Sequence, residues 1–470
     1  VRTIHEKLHV ESIPELEAAA RDGRLAALPG FGAKTAESVL KGVSRLRQSR
    51  SVRLIHHAAT EAELLRTTLE RVPGVTSAIV AGEVRRGLEL VGEIVIVLVA
   101  ETAPEEVLRA IAKLPGVDEF GGQDERRATI RFSGGERCQV VVTPSANLGP
   151  VLIQATGSAP HLEQLVERAT RTGHSFRGAA LWRGSEFVPT ADESAVYQAL
   201  GLQWIPPELR EGLGEVALAE TVLPPLVTRA DLRGLIHCHT SYSDGSFSVR
   251  GLSSTCAEAG YQYVGVTDHS GTAAYVGGMN EAEIRAQWAE IDTTNAEGAG
   301  ARVLKGIEAD ILADGRIGYS DELLQGFDFV IASVHNRFEM NREEMTTRIL
   351  AGMDNPYVTI IGHLTGRLLL SREPYQLDFE RVFARAAERG VAIEINADPQ
   401  RLDLDWRLVR QARAAGVVIS IGADAHSPAG LDNVDLGVLM ARKAWLGPAD
   451  VLNTRSAEEF LAFARRRRSA

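Results

Sequence analysis

Hydrophobic positions along the chain fall into two textures that meet near residue 230. From about 63 to 148, short apolar runs (SAIVAG, GEIVIVLVA, ATIRFSG, CQVVVTP) alternate with amphipathic stretches such as PEEVLRAIAKL. Short apolar runs between turn residues read as strands, and apolar positions three or four apart read as helix. This stretch therefore predicts a small α/β unit. Within GEIVIVLVA, Glu93, Val95 and Val97 alternate with Ile94, Ile96 and Leu98, which predicts a strand with two distinct faces. Residues 1–50 predict short helices separated by glycine turns, and 150–226 predict helix followed by irregular chain. The proline-bearing LPPLVTRADLRG (223–234) marks a linker. Beyond it about seven apolar strands recur with amphipathic helices between them, the βα alternation of a parallel barrel.

Composition narrows this picture. A chain of 470 residues is too long for one core and predicts two to four domains. No apolar run approaches the ~20 residues needed to cross a bilayer, and nothing reads as a signal peptide. A cytoplasmic protein without a membrane partner is expected. The chain opens on Val1, so a piece is expected to precede it. Three widely spaced cysteines fit a reducing compartment better than a disulfide framework. The net charge of −11 argues against a uniformly basic nucleic-acid surface, although residues 1–60 carry ten Lys/Arg against six Asp/Glu. The terminal RRRR (465–468) reads as a solvated tail rather than a phosphate contact.

The strongest chemistry lies in the second half. GLIHCHTSYSDG sets His237 and His239 two apart, on one face of a strand, with Asp244 in the following loop. YVGVTDHS then brings Asp268 and His269, VLKGIEAD brings Glu308, and FVIASVHN brings His335. VTIIGHLTG adds His363, and VVISIGADAHS adds Asp424 and His426. All six histidines after residue 231 fall at or just past the end of a predicted strand. In a βα barrel those ends share one face, where such folds keep their sites. One histidine there is more often an ordinary core or surface residue; six of six, with carboxylates between them, are not. Imidazoles with carboxylates suit Zn2+, Mn2+ or Fe2+, and bridging carboxylates let several ions sit together. Such a cluster acidifies bound water and clamps both oxygens of an in-line displacement, which makes phosphoester hydrolysis the natural reaction. Cys238, between the paired histidines, is expected in the core.

These motifs closely resemble the PHP (polymerase and histidinol phosphatase) family, whose pattern runs H-x-H…SD, DH, E, H, H and D-x-H. The resemblance covers residues 232–470. It implies a distorted (βα)7 barrel and three ions, Mn2+ or Zn2+, on His237, His239, Asp244, His269, Glu308, His335, His363, Asp424 and His426. His237, His239, Asp424 and His426 would carry the catalysis. Leu235 or Ile236 stands where the family often has Asp, at a position that is not a ligand. Arg367, in HLTGRLL, matches a family basic residue and is the candidate holder of a substrate phosphate.

In the first half, ALPGFGAKTAESVL (27–40) reads as helix, tight hairpin, helix. Gly30 and Gly32 permit positive φ and close backbone approach, so amides at the second helix can hold a phosphate oxygen, and Lys34 adds charge. The stretch resembles the helix-hairpin-helix DNA-backbone motif, which positions without reading bases. With that motif before it and PHP after it, GEVRRGLELVGEIVIVLVA resembles the palm motif of bacterial family X DNA polymerases, G-S-x-R-R followed by G-D-x-D and a third aspartate. Residues 155–169 and 199–220 resemble the thumb of that family. The departures are specific. Glu93 and Val95 stand at the paired aspartates, Gln139 at the third, Glu83 at the serine, and Gln154 and Ala155 at an aromatic pair. Polymerisation needs two Mg2+ on carboxylates about 4 Å apart. Val95 cannot bind an ion and Gln139 brings no charge, which leaves little to hold Mg2+ in the palm. Arg85 and Arg86 remain as expected phosphate contacts.

The resemblance implies a multidomain α/β chain. It comprises a fingers-like helix-hairpin-helix region (1–62), a nucleotidyltransferase-like palm (63–148), a thumb-like domain (149–226), a linker (227–231) and a PHP phosphoesterase (232–470). It also implies a DNA-repair protein of the bacterial nucleoid that binds gapped, nicked or 3′-ended duplex and hydrolyses 3′ phosphodiesters as a 3′–5′ exonuclease. Three other readings compete. One is a weak or Mn2+-dependent gap-filling polymerase using Glu93 and another carboxylate such as Glu89. The others are a non-catalytic DNA-binding scaffold and a small-molecule phosphatase.

Overall fold

Two short helices and a hairpin open the chain. Ser12 caps the helix Ile13–Arg21: its hydroxyl accepts from the Glu15 amide at 3.3 Å, and the Glu15 carboxylate accepts from the Ser12 amide at 3.2 Å. The chain then turns through Gly30, at φ +84°, and re-forms helix over Ala33–Ser51. The computed structural model describes residues 2–10, 12–271 and 277–468.

After β1 (Arg53–Leu54) comes the α/β unit. Its strands follow as β2 (Val75–Ala81), β3 (Leu90–Val91), β4 (Ile94–Ala100), β5 (Val117–Gly122), β6 (Arg127–Phe132) and β7 (Arg137–Thr143). Five of them form one sheet in the order β2-β4-β7-β6-β5, with only β4 and β7 parallel. β4 has the two faces its alternation predicts. Ile94, Ile96 and Leu98 pack in a core with Leu65 and Leu69 of the helix Ile55–Glu70. Val95 and Val97 pack on the other side with Val141, Val151 and Leu152.

Helices Leu148–Thr156 and Ala159–Arg171 follow, and then a three-stranded antiparallel sheet, β8 (His174–Arg177), β9 (Ala180–Arg183) and β10 (Glu186–Val188). The sequence reading expects irregular chain here. The strands are too short for a clear alternation, and their signal lies in the two-residue turns, where Gly178 and Gly184 both take φ +60°. The expected linker, 227–231, is no free tether: Val227 is fully buried and its amide donates to the Leu446 carbonyl at 2.9 Å.

The second half is a closed, all-parallel barrel in sequential order: β11 (Gly234–Cys238), β12 (Tyr263–Val266), β13 (Arg302–Asp310), β14 (Phe329–Ser333), β15 (Val358–Ile361), β16 (Ala392–Asn396) and β17 (Ile419–Ala425). Helices cover its outside, so its strands are apolar on both faces. The helix Ala457–Arg465 plugs the end where the strands begin, with the Phe460 ring tilted against Tyr263 at 5.6 Å and edge-on to Phe329 at 5.2 Å between centroids. The arginine run is correspondingly not a solvated tail. Arg466, Arg467 and Arg468 donate to the carbonyls of Gly390, Val358 and Phe327, at 2.6, 2.6 and 2.8 Å, near the starts of three strands. All three cysteines are buried and unpaired, Cys238 in the barrel core as expected.

The two halves meet along a charged seam. Lys443 of the helix Val434–Lys443 is 1% exposed and donates to the Arg86 carbonyl at 3.0 Å and to Glu211 at 2.7 Å. Arg442 reaches Glu208 at 2.6 Å. From the helix Trp406–Ala414, Arg407 and the Trp406 indole donate to the Glu89 carboxylate at 2.7 and 3.3 Å. Among the described residues no helix is long and apolar enough to cross a membrane.

Candidate metal centre

At the mouth of the barrel, where the strands end, Glu308 is the hub. Its carboxylate lies 2.9 Å from His363 Nε2, 3.0 Å from His269 Nδ1, 3.2 Å from His335 Nε2, 3.5 Å from His237 Nε2 and 3.9 Å from His239 Nε2. Asp424 faces His239 and His237 at 3.3 and 3.6 Å. Asp244 faces His426 at 3.4 Å and both His239 and His269 at 3.7 Å. All nine side chains singled out from the sequence are thus brought together. Three overlapping sets have ligand atoms within 4.8 Å of one another: His239, Asp244, His269 and His426; His237, His239 and Asp424; His269, Glu308 and His335. His363 touches Glu308 but belongs to none of the three.

The donor set fits metal ions. His237 Nδ1 is held by Glu394 at 2.5 Å, His335 Nδ1 by Asp310 at 2.6 Å, and His426 Nδ1 by the Asp424 carbonyl at 2.9 Å. A ring nitrogen held by an acceptor keeps the proton, so the other nitrogen turns a lone pair to the cluster. His237 Nε2, His335 Nε2 and both nitrogens of His239 are buried with no hydrogen-bond partner. Buried polar atoms are almost always partnered, and coordination would satisfy these. The charge also suits cations. Burial would raise Glu308 and Asp424, but the surrounding imidazoles hold both carboxylates well below their usual range. Burial pushes His335 down, yet Glu308 and Asp310 together raise it to about 9.

Three of these residues have left-handed backbone: His237 at φ +61°, His363 at +23° and Asp424 at +49°. Such φ values cost side-chain-bearing residues on the order of 1–3 kcal/mol each and collect at functional sites. At His237 the strain coincides with an irregular register between β11 and both its neighbours.

Sequence reasoning missed the residues that hold the ligands in place. Glu394 binds His237 and accepts from the His363 amide at 2.8 Å. Asn396 donates to Asp424 Oδ2 at 3.0 Å. With Asp310, both are polar residues near the ends of apolar strands, which is the signal that could have found them. Asp268, next to a ligand, braces the loop that carries Asp244 by accepting from Thr240 and Ser243. Arg367 does not offer a free guanidinium for phosphate: it donates to the carbonyls of Arg401 and Leu402 and to Asp405. The cation beside the cluster is Arg401, 3.4 Å from Asp424.

A cleft of about 1170 Å³ opens over β4 and β7, lined by Glu83, Glu93, Val95, Gln139 and Gln154 among others. Val95 and Gln139 are register partners on these parallel strands. Val95 packs against Gly82, where a Cβ would lie 2.9 Å from its methyl group. Gln139 donates to Gln123 at 3.1 Å, and Glu83 accepts from the Gly92 and Glu93 amides at 2.6 and 3.3 Å. Glu93 is exposed. Among the described residues no set of three potential ligands with metal-binding spacing lies in this cleft.

The paired arginines are turned to another task. Arg85 grips the Glu193 carboxylate with two bonds of 2.7 and 2.8 Å, and Arg86 donates to the Thr156 carbonyl at 2.6 Å and to Glu211 at 3.2 Å. They tie the α/β unit to the following helical region instead of presenting charge to phosphate. Glu89, the alternative carboxylate, is buried in the seam under Arg407 and Trp406, so it cannot complete a metal site in the cleft. Gly30, Gly32 and Lys34 stand on the hairpin as the sequence places them, with Lys34 exposed.

Residues 151–211 match the family described as DNA polymerase beta thumb, and residues 236–398 match the PHP domain. The DNA polymerase/3′-5′ exonuclease PolX of Bacillus subtilis (strain 168) is 31% identical over 471 residues, covering 99% of this chain and 82% of that protein. A probable phosphatase of Thermoanaerobacter sp. (strain X514) is 29% identical over 234 residues, 46% of this chain and 89% of the relative. A solved Leishmania infantum polymerase beta, in a ternary P/T complex, matches 45% of this chain and 92% of its own at 13% identity and a TM-score of 0.31, too slight a likeness to argue from.

Proposed function

The chain belongs to the family X DNA polymerases that carry a PHP domain, and on that basis we propose that it is a DNA-processing phosphodiesterase working through its barrel, with a palm that no longer polymerises. Its substrate would be gapped, nicked or 3′-ended duplex DNA, trimmed from the 3′ end. One observation carries the reading: buried imidazole nitrogens without partners crowd around Glu308, Asp424 and Asp244, whereas among the described residues the palm cleft brings no three potential ligands together.

Mn2+ or Zn2+, three ions in all, would sit on the nine residues of the mouth and supply an activated water and a clamp on the reacting phosphate. This chain's own residues prepare that site. Glu394 and Asp310 fix the tautomers of His237 and His335. Asn396 turns Asp424 by binding its outer oxygen. Asp268 holds the Asp244 loop closed over the cluster. The hairpin at Gly30, Gly32 and Lys34 would grip the DNA backbone, without reading its sequence.

A 5′-labelled primer on gapped DNA, incubated with Mn2+ with and without the four nucleotides, tests this reading. Shortening that vanishes in His237→Ala, with no lengthening, is expected. Lengthening that survives His237→Ala and is lost in Glu93→Ala would overturn it. The likeness of the barrel half to probable phosphatases favours a second substrate form, a terminal phosphomonoester. A 3′-phosphorylated primer in the same assay separates the two.

A further inference from the structure

We infer that Arg401 is the phosphate-holding residue of the barrel mouth, the role that Arg367 cannot fill. The inference rests on the phosphoesterase reading and adds a substrate contact to it. Arg401 lies in the loop after β16, its side chain 19% exposed and its Nε 3.4 Å from Asp424 Oδ2. That is its single ion pair with a described residue. Among the described residues, no hydrogen bond reaches either of its terminal Nη groups. Neighbouring arginines are spent differently: Arg367 on two carbonyls and Asp405, Arg407 on Glu89 and Asp405. Arg401 therefore combines near-burial, fixed charge and unused donors.

Its place makes those donors useful. Asp424 Oδ2 takes Asn396 at 3.0 Å and Arg401 at 3.4 Å, while Oδ1 faces His237 and His239. Arg401 thus approaches Asp424 from the oxygen that does not face His237 and His239, and its charge is felt by both Asp424 and Glu308. A guanidinium beside a cluster of divalent ions is repelled unless an anion joins them. A phosphate oxygen is the natural anion, because the guanidinium fork matches it with two parallel bonds. An arginine on this spot would grip the non-bridging oxygens of the scissile phosphate while the cluster handles the remaining ones.

The test uses the full chain loaded with Mn2+, inorganic phosphate as the probe, and the variants Arg401→Gln and Arg401→Lys. Phosphate binding is followed by titration calorimetry, bound metal by elemental analysis, and DNA-end hydrolysis by gel. Arg401→Gln is expected to weaken phosphate binding about tenfold to a hundredfold, the worth of a lost charge-assisted contact. It should keep its full complement of metal, and Arg401→Lys should recover part of the affinity. Unchanged phosphate affinity in Arg401→Gln would overturn the inference. So would loss of metal from both variants, because Arg401 would then be supporting Asp424 rather than holding substrate. A wild-type chain that binds phosphate through Arg401 yet leaves every DNA end intact would sink the nuclease reading and leave this one standing.

Discussion

The barrel mouth and the palm cleft are both polar hollows at the edge of parallel strands, and they differ in what their polar atoms have left to give. At the mouth, second carboxylates and an amide hold the ligands from behind, so imidazole nitrogens are left pointing inward without partners. In the cleft the side chains at the old motif positions are bound by the protein itself: Glu83 by two backbone amides, Gln139 by Gln123, and Arg86 by the Thr156 carbonyl and Glu211. A site prepared for an ion keeps its donors unspent and supported from outside. A hollow that has spent them on its own fold has become architecture.

The sharpest way to break this contrast is to remove one ligand from the mouth. Asp424→Ala should reduce end hydrolysis at least about a thousandfold, as loss of a metal-holding group in a multinuclear site would, with DNA binding retained in a gel-shift assay. Retained hydrolysis would remove the mouth from the chemistry. Next in size is a change in the spent network. Burial alone would raise Glu193, but hydrogen bonds from Arg210 and Arg85 outweigh it and hold the carboxyl at about 2. A depressed carboxyl gives stability that is present above its ordinary 4.5 and is lost as the pH falls towards about 2. The shift corresponds to roughly 3 kcal/mol. Glu193→Gln should therefore destabilise the fold by several kcal/mol in denaturant titration at neutral pH, because it also strands the buried Arg210. It should flatten the acid limb between pH 4.5 and 2, and leave metal content unchanged.

Smaller still is a change behind the ligands. Glu394→Gln removes the charge that holds His237 and should weaken metal affinity about tenfold to a hundredfold, read by competition with a chelating dye. No change there would mean that the buried bond to His237 is only packing. The smallest effect belongs to the cleft. Glu93→Ala should alter hydrolysis by less than about twofold, since an exposed carboxylate outside the mouth adds nothing to metal-ion catalysis. A large loss would join the two regions in one mechanism.

How much of this was legible in the sequence follows from the range of the interactions. The ligands announce themselves because a polar residue at the end of an apolar run is locally visible, as in SVHN or ADAHS, and seven such runs share one face once the barrel closes. The two-faced β4 is visible for the same reason. Glu394 and His237 lie 157 residues apart, and no local pattern couples them. Arg85 and Glu193 are separated by 108, so the motif disclosed the arginine but not the partner that consumes its charge. Arg367 and the RRRR run were misread alike: charge was visible, while the carbonyls awaiting it were fixed only by the folded chain.

The seam gives the palm a structural role that is independent of polymerisation. Gly87 has φ +69°, and a Cβ there would lie 2.6 Å from a methyl of Leu439, while the neighbouring Arg86 carbonyl and Glu89 carboxylate are bound by Lys443 and by Trp406 and Arg407. Substitution at Val95 or Gln139 touches none of these seam contacts. A change in the loop two turns away would strand a buried lysine and an indole of the other half. The palm's outline is thereby uncoupled from its chemistry: packing against the barrel alone would preserve the loop that carries the nucleotide-handling motif, whether or not nucleotides are still handled there.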